Sequence, residues 1–514
     1  MYSKIISGTA LGIDGLLVSV ETDISQGLPG LSLVGYLASS VKEAGERVRT
    51  ALRNSGFFLP PSKITVNLSP ADIKKDGTGY DLAIAVGILI SMGKISLNEE
   101  MNKEIAKTLF IGELGLDGDV RPIKGVLPIV DYAAKMGIQN VVLPNENKEE
   151  ASFVKNVNLF PVHSLLELIN IFYCGHWPDP YIPSEQEDIE ITTLDDLADI
   201  KGQELMKQGV IVAVAGFHNI IMTGAAGAGK SMIAKCIPGL MPALSYEESM
   251  ELTKIYSVAG MLDSHMGFID RRPFRSPSQN ISQTAMIGGG AVPKPGEVSL
   301  ANSGVLFLDE FPEFSRNVLE SLRQPMEDKK VSISRVKGSY TFPAKFMLVS
   351  ARNNCPCGFY PDRTKCRCNA YEIFKYQSRI SHPIMDRIDI RLEVKRVSFG
   401  ELFSEEDGMS TAAAKDIIMC ARERQQYRYR NEMFNYNSEV PQGMMNEFIR
   451  LTDREQKILK EIFEEQDMSA RGYFRLLKLI RTIADINDRE EIKLTDIEEA
   501  VFFRNESQTR GEFV

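Results

Sequence analysis

The sequence predicts a multidomain α/β protein, and three observations carry that prediction. At 514 residues the chain is too long for one hydrophobic core, and length alone suggests about three domains. Strand-like and helix-like periods alternate over residues 1–175 and again over 193–395, and from 396 the period is almost wholly helical. The stretch "NIIMTGAAGAGKSMIAKCI" joins a strand to a helix through a glycine-rich loop, as nucleotide-binding α/β sheets do. Residues 1–177, 193–395 and 396–514 are read as three units. Residues 178–192, rich in proline and acid, are read as the linker.

In the first unit "IDGLLVSVETDI" reads as a strand and "SSVKEAGERVRTALRNSG" as an amphipathic helix stopped by Gly56. "KITVNLSP" is again a strand and "DLAIAVGILISMG" a buried helix. "IGELGLDGDVRPIKGVLPIVDYAAKMG" predicts a hairpin-like segment and a helix, and "NVVLPNEN" a further strand. The composition, 43% hydrophobic and 25% charged with net charge −10, is that of an ordinary soluble protein. It argues against a chain coated with nucleic acid, although a local basic lining is compatible with it. The longest apolar run, "LAIAVGILI", is far short of a bilayer span, and no signal peptide is visible. With seven cysteines, an odd and modest count, a reducing cytoplasm is the expected compartment.

In the second unit the loop Gly224-Ala225-Ala226-Gly227-Ala228-Gly229 precedes Lys230 and Ser231. Glycines let backbone N–H groups wrap a phosphate, and the helix N-terminus adds partial positive charge. Lys230 is expected to reach the β and γ phosphates and the Ser231 hydroxyl to hold Mg²⁺. "GVLFLDEF" reads as a buried parallel strand ending in two carboxylates, Asp309 for Mg²⁺ and Glu310 to polarise the attacking water. "KFMLVSARNN" is a further buried strand, from whose tip Asn353 could orient that water; a turn-forming Asn is the plainer alternative. In "HPIMDRIDI", Arg387 is either a local ion pair with Asp386 or Asp389, or an arginine finger for a neighbour's ATP. In "SARGYFRLLKLIRTIAD", Ser469 is expected to cap a helix carrying Arg471, Arg475 and Lys478 on one face. That face is either a solvated basic stripe or one that sends Arg471 to the γ-phosphate.

Four cysteines, Cys355, Cys357, Cys366 and Cys368, fall within "CPCGFYPDRTKCRC". Four thiolates can close a tetrahedral Zn²⁺ site, though the Cys-x-Cys pairs are tighter than the usual Cys-x-x-Cys knuckle. A disulfide or redox pair and unliganded thiols are the alternatives.

The chain resembles the ComM/YifB family, the magnesium-chelatase-like branch of the AAA+ ATPases, nearly end to end. The resemblance rests on "DIKGQELMKQGVIVAVAGFHNIIMTGAAGAGKS", "RRPFRSPSQNIS", "GGGAVPKPGEVSLANSGVLFLDEFPEF", "LESLRQPMEDKKVSISR", "CPCGFY" and "RGYFRLLKLIRTIADI". It implies an N-terminal Lon-protease-like domain of ribosomal-S5 type, a P-loop AAA+ α/β core and a C-terminal helical lid. It further implies a homo-hexameric ring with ATP sites between subunits, a branch-migrating DNA helicase acting in recombination and natural transformation. Lys230, Ser231, Asp309, Glu310 and Asn353 would then serve one side of each site. Arg387 would be the finger from the next subunit, Arg471 the sensor-2-type arginine of the lid, and Gln203 would lie near the adenine. Two departures stand out: Ser278-Gln279 replace the family's His-His, and Asn353-Asn354 its Asn-Pro. Active Lon domains need a Ser and a Lys where this chain has "DGTGYDLA" and "KGVLPI", with Gly79 or Tyr80 and Leu127 at those places. The N-terminal unit is therefore expected to be scaffold or DNA platform rather than protease, with Asp76 and Asp81 capping turns and helices.

Candidate DNA contacts are Arg271, Arg272 and Arg275, Lys294, and Lys329, Lys330, Arg335 and Lys337 of a hairpin with Lys-Lys at its tip. For each residue alone, a solvated surface charge is the plainer reading. A chaperone-like remodeller of protein, or a motor for metal insertion, is the alternative to the DNA motor. A protease-linked ATPase is disfavoured by the missing Ser and Lys.

Overall fold

The computed structural model describes residues 2–95, 97–183, 196–262, 267–290, 292–335, 338–394 and 408–504. Most of the expected linker, the boundary at 395–396 and Lys337 lie outside the described residues.

The N-terminal sheet has seven strands in the order Gly30–Val34, Lys63–Ser69, Asp14–Ser25, Tyr2–Leu11, Thr108–Phe110, Asn140–Pro144, Asn158–Val162. Strands Tyr2–Leu11 and Asp14–Ser25 form a long antiparallel hairpin from Tyr2↔Asp23 to Leu11↔Asp14, and the strands from Thr108 onward add in parallel. Helix Ser39–Asn54 buries Val41, Ala44, Val48, Ala51 and Leu52, one helical stripe. It ends, as expected, before Gly56, whose φ of 89° is the left-handed conformation glycine adopts freely. Helix Asp81–Ser91 is apolar all round and is buried accordingly. Each of its fully buried Leu and Ile side chains contributes about 1.5–3 kcal/mol over exposure. Gly87 is required there, because a Cβ would stand 2.7 Å from the Thr22 hydroxyl of the sheet.

Asp76 caps a turn as expected, accepting from Gly77 N and Ser40 Oγ at 2.8 Å each. Asp81 does not cap its own helix. Its fully buried carboxylate accepts from Arg47 Nε (2.8 Å) and Nη2 (3.1 Å) and from Leu114 N (3.3 Å), tying the two helices to the hairpin Glu113–Leu114/Val120–Arg121. Burial pushes that carboxyl up to about 6 against the pull of Arg47. Leu127 is fully buried in helix Val126–Lys135.

The central sheet has five parallel strands in the order Phe274–Arg275, Val305–Leu308, Met347–Arg352, Ile220–Gly224, Ile390–Val394. Val305–Leu308 and Met347–Arg352 are buried throughout, as strands covered on both faces must be. The helical region does not pack as a separate body. Helices Thr411–Arg428 and Ala470–Ile486 lie on helix Glu204–Gly216, and Ala414, Ile418, Leu476 and Ile480 join Val210 and Val214 in one continuous core with the sheet. Buried polar ties span the seam: Gln425 Nε2 donates to Ala215 O (3.0 Å), and a His218 ring nitrogen meets Thr482 Oγ1 (2.8 Å). The N-terminal unit docks on helix Tyr246–Ala259 through Lys254–Asp131 (2.6 Å), Ser257–Glu150 and Tyr246 OH to Phe153 O (3.1 Å). Among the described residues no helix is long and apolar enough to cross a membrane.

Candidate nucleotide site

The strand Ile220–Gly224 delivers its loop at the C-terminal edge of the sheet, where open α/β sheets bind ligands. Gly227 (φ 77°) and Gly229 (φ 84°) have left-handed backbone, and nothing stands within 4 Å of where their Cβ atoms would be. That open space is what phosphate oxygens need to approach a backbone. Lys230 opens helix Lys230–Leu240, and its ammonium is folded back onto Gly224 O (2.7 Å), Ala225 O (2.9 Å) and Asn353 Oδ1 (3.2 Å). Burial lowers the Lys230 pKa, while the Asp309 and Glu310 carboxylates oppose that shift.

Ser231 Oγ donates to Asp309 Oδ2 at 2.9 Å. A hydroxyl and a carboxylate in contact beside the phosphate loop are the oxygen ligands a Mg²⁺–nucleotide uses, so this donor set fits ATP and Mg²⁺. Asn353 follows the strand Met347–Arg352, which pairs directly with the P-loop strand, and this brings it to Lys230. Gln203 starts helix Glu204–Gly216 in left-handed conformation (φ 62°), and its Nε2 lies 3.5 Å from Ala228 O, against the loop.

Glu310, also left-handed at φ 49°, accepts from Gln279 Nε2 at 2.5 Å. Gln279 follows the edge strand Phe274–Arg275, which pairs with strand Val305–Leu308, the strand that leads into Asp309. Nothing in the sequence around Gln279 points to this bond, which joins residues 31 positions apart.

Two arginines lie away from this chain's own phosphate loop. In the parallel register Gly224 is beside Val394 and Ile220 beside Ile390, so Arg387, which precedes Ile390, lies at the sheet edge opposite the phosphate loop. Arg387 is 4% exposed, donating to Pro383 O (2.7 Å) and to Glu327 Oε2 (2.6 Å), not pairing with Asp386 or Asp389. Arg471 meets the other oxygen of the same carboxylate, Glu327 Oε1, at 2.9 Å. Arg471 therefore stands with Arg387 and not beside this chain's own Lys230. Ser469 caps the helix as expected, donating to Asp386 and accepting from Gly472 N (3.0 Å). The rest of that basic face is not solvated. Arg475 pairs with Asp389 (2.6 Å), and Lys478 donates to Ser438 O (2.9 Å), with burial lowering its pKa to about 8. Burial pushes the Asp389 carboxyl up, but Arg475 and His218 outweigh it and hold it well below the ordinary carboxylate range.

The candidate DNA cations divide. Arg272 is buried on Pro242 O, Ser303 O, Ala243 O and Glu248, so it ties loops together rather than facing a ligand. Arg275 is committed to Glu297 through two bonds of 2.7 and 2.8 Å. Lys329 ends helix Arg323–Asp328 at φ 54°, at the base of the hairpin and not its tip, facing Glu439, Arg475, Asp389 and Lys345. Burial lowers its pKa to about 8. Arg271, Lys294, Lys330 and Arg335 are exposed. Lys294 pairs in register with Gly289, and the Arg335 guanidinium lies 3.7 Å from where a Cβ of Gly289 would be, so both residues border the same glycine.

The four thiols come together, all within 4.8 Å of one another. Cys355 and Cys366 are buried, Cys368 is half-buried and Cys357 exposed.

A parallel sheet carrying a P-loop, an acidic strand end, a polar neighbouring strand tip and a helical layer defines a P-loop ATPase of the AAA+ class. Family models for magnesium chelatase subunit ChlI match residues 196–402, those for subunit ChlI of Mg-chelatase residues 20–147, and those for the ChlI C-terminal region residues 408–504. The chain is 37% identical over 496 residues to the uncharacterized protein YifB of Escherichia coli K12, covering 96% of this chain and 95% of that one. It is 36% identical over 508 residues to the competence protein ComM of Haemophilus influenzae, covering 97% of each. A stretch of 180 residues, 32% of the chain, is 24% identical to the Lon protease of Trichlorobacter lovleyi, of which it covers 21%. The chain belongs to the ComM/YifB family of magnesium-chelatase-like AAA+ ATPases.

Proposed function

We propose that the chain hydrolyses ATP as a homo-hexameric, cytoplasmic ring and uses the energy to move branched DNA, as a helicase in recombination or transformation. The observation that carries the ATPase reading is the assembled set Lys230–Asn353 and Ser231–Asp309 around an open glycine cradle. Lys230 exchanges its carbonyl partners for the β and γ phosphate oxygens. Ser231 and Asp309 hold Mg²⁺, which neutralises charge on the phosphates when bound. Glu310, once released by Gln279, accepts the proton of the attacking water, and Asn353 positions it. Because Arg387 and Arg471 share Glu327 at the far edge of the sheet, both are read as serving the next subunit's ATP. Arg471 would then be a sensor-2-type arginine acting across the interface rather than within its own chain.

The DNA reading is supported by the exposed cations Lys294, Arg335, Arg271 and Lys330 and by the name of the competence relative. The N-terminal unit, with Leu127 where a Lon lysine would stand, is read as scaffold or DNA platform. The cysteine cluster is read as a Zn²⁺ site. Forked or three-stranded DNA should raise ATP turnover and be branch-migrated. A protein partner that stimulates turnover where DNA does not would replace the DNA reading with the remodeller. Lys230→Ala should abolish turnover, and Glu310→Gln should bind ATP without turning it over.

A further inference from the structure

The cysteine loop rests on the phosphate loop. Ala226 N donates to Gly358 O at 3.3 Å, and Gly358 (φ 76°) sits so close that a Cβ on it would be 3.3 Å from Ala226 Cβ. The same segment begins at Asn353, which accepts from Lys230. The middle of the phosphate loop and the lysine that follows it are thus both touched by the segment that carries the four thiols.

Short-range turns such as Cys366 N to Asp362 O (2.8 Å), together with the Gln377 Nε2–Asn354 O bond (3.1 Å), shape this loop, with little apolar packing behind them. Its hydrophobic cluster consists of Cys355, Tyr360, Cys366 and Ile373, with Cys368 packed at its side. A core that small cannot by itself fix seventeen residues of irregular chain, and such segments are ordinarily stapled by a metal or a disulfide. The sulfur geometry favours the metal. Sγ–Sγ separations are 3.3 Å for Cys355–Cys357, 3.7 Å for Cys355–Cys366 and 3.6 Å for Cys357–Cys366. A tetrahedral zinc with Zn–S of about 2.3 Å sets its sulfurs about 3.8 Å apart, whereas a disulfide needs about 2.05 Å. Tyr360 N donates to Cys355 Sγ (3.4 Å), which suits a thiolate acceptor.

We propose that one zinc ion on Cys355, Cys357, Cys366 and Cys368 braces the phosphate loop through the Gly358–Ala226 contact, so that zinc occupancy sets the affinity for ATP. A phosphate loop binds by presenting its N–H groups in one arrangement before the ligand arrives. A brace at Ala226 removes part of the ordering cost from the binding step. The inference rests on the reading of 224–231 as the ATP loop and of the thiols as a zinc site.

The test uses the full-length, reduced protein, with metal analysis and titration by a fluorescent ATP analogue in excess Mg²⁺. About one zinc per chain is expected. Stripping zinc with a mercurial reagent, then removing the reagent with thiol, should weaken ATP binding about tenfold, and added Zn²⁺ should restore it. Gly358→Ala keeps all four thiols but forces left-handed alanine against Ala226. It should retain zinc and lose ATP affinity, with unchanged circular dichroism excluding global unfolding. Unaltered ATP affinity in both the stripped protein and Gly358→Ala overturns the brace while leaving the zinc and ATPase readings intact. Reduced protein without zinc overturns the metal site. Zinc-loaded protein that fails to bind ATP overturns the nucleotide site instead.

Discussion

If Arg387 acts across a subunit interface, two inactive variants should repair each other. The register sets Ile390 four strand positions before Val394, and Val394 lies beside Gly224. At a rise of about 3.3 Å per residue this puts Arg387 more than about 13 Å from the phosphate loop of its own chain. Its guanidinium is also held back by Pro383 and Glu327. Arg387→Ala should lower turnover about a thousandfold, the scale of a lost arginine finger. Lys230→Ala should show none. In a ring assembled at random from equal amounts of both, a site is competent when Lys230 comes from one variant and Arg387 from the other. That happens at about one interface in four. Co-expressed with different tags, co-purified and assayed for phosphate release, the mixed rings should recover about a quarter of the wild-type rate. Mixed rings no more active than the average of their parts would falsify the trans assignment. Arg387 would then be a structural partner of Glu327, and its loss would appear in thermal stability.

Gln279→Ala should raise DNA-independent ATP turnover several-fold, since it frees the Glu310 carboxylate to meet water; turnover that falls instead would make Gln279 a positioning residue for the water. Lys294→Ala with Arg335→Ala should weaken DNA binding at every sequence and reduce the salt slope by about two, with ATP affinity unchanged, and an unaltered slope would remove these cations from the DNA path. Asp81 carries a pH signature. Below about 4 its carboxyl is protonated in both folded and unfolded chain. Between about 4 and 6 the unfolded chain loses the proton first, so stability contributed by the protonated group is lost as pH rises, by about 3 kcal/mol in all. The single tryptophan, Trp177, stacks on Phe160 at 4.6 Å and reports this unit alone. Urea unfolding followed by its fluorescence at pH 4 and pH 7 should show the loss in the wild type and little of it in Asp81→Asn.

What the sequence alone determined is contiguous chemistry. Gly224 to Ser231 is one strand, loop and helix start, so glycine cradle, lysine and hydroxyl are neighbours by covalent connection. The buried helix Asp81–Ser91 and the Ser469 cap are equally local, set by composition over one or two turns. Asp309 and Asn353 were legible because a strand that is buried throughout and ends in polar residues advertises which edge of a parallel sheet it reaches. The tertiary structure decided everything that depends on sheet order and register. It set Arg387 and Arg471 on one glutamate at the edge away from the phosphate loop. It turned Arg272, indistinguishable in sequence from an exposed cation, into a buried tie, and set Lys329 at the base of the hairpin rather than its tip. It brought Gln279 to Glu310 and laid Gly358 on Ala226. Hydrophobic period says which face of an element is buried, but not which distant segment covers it. Those contacts join residues tens to more than a hundred positions apart, and only the packing of whole elements specifies them.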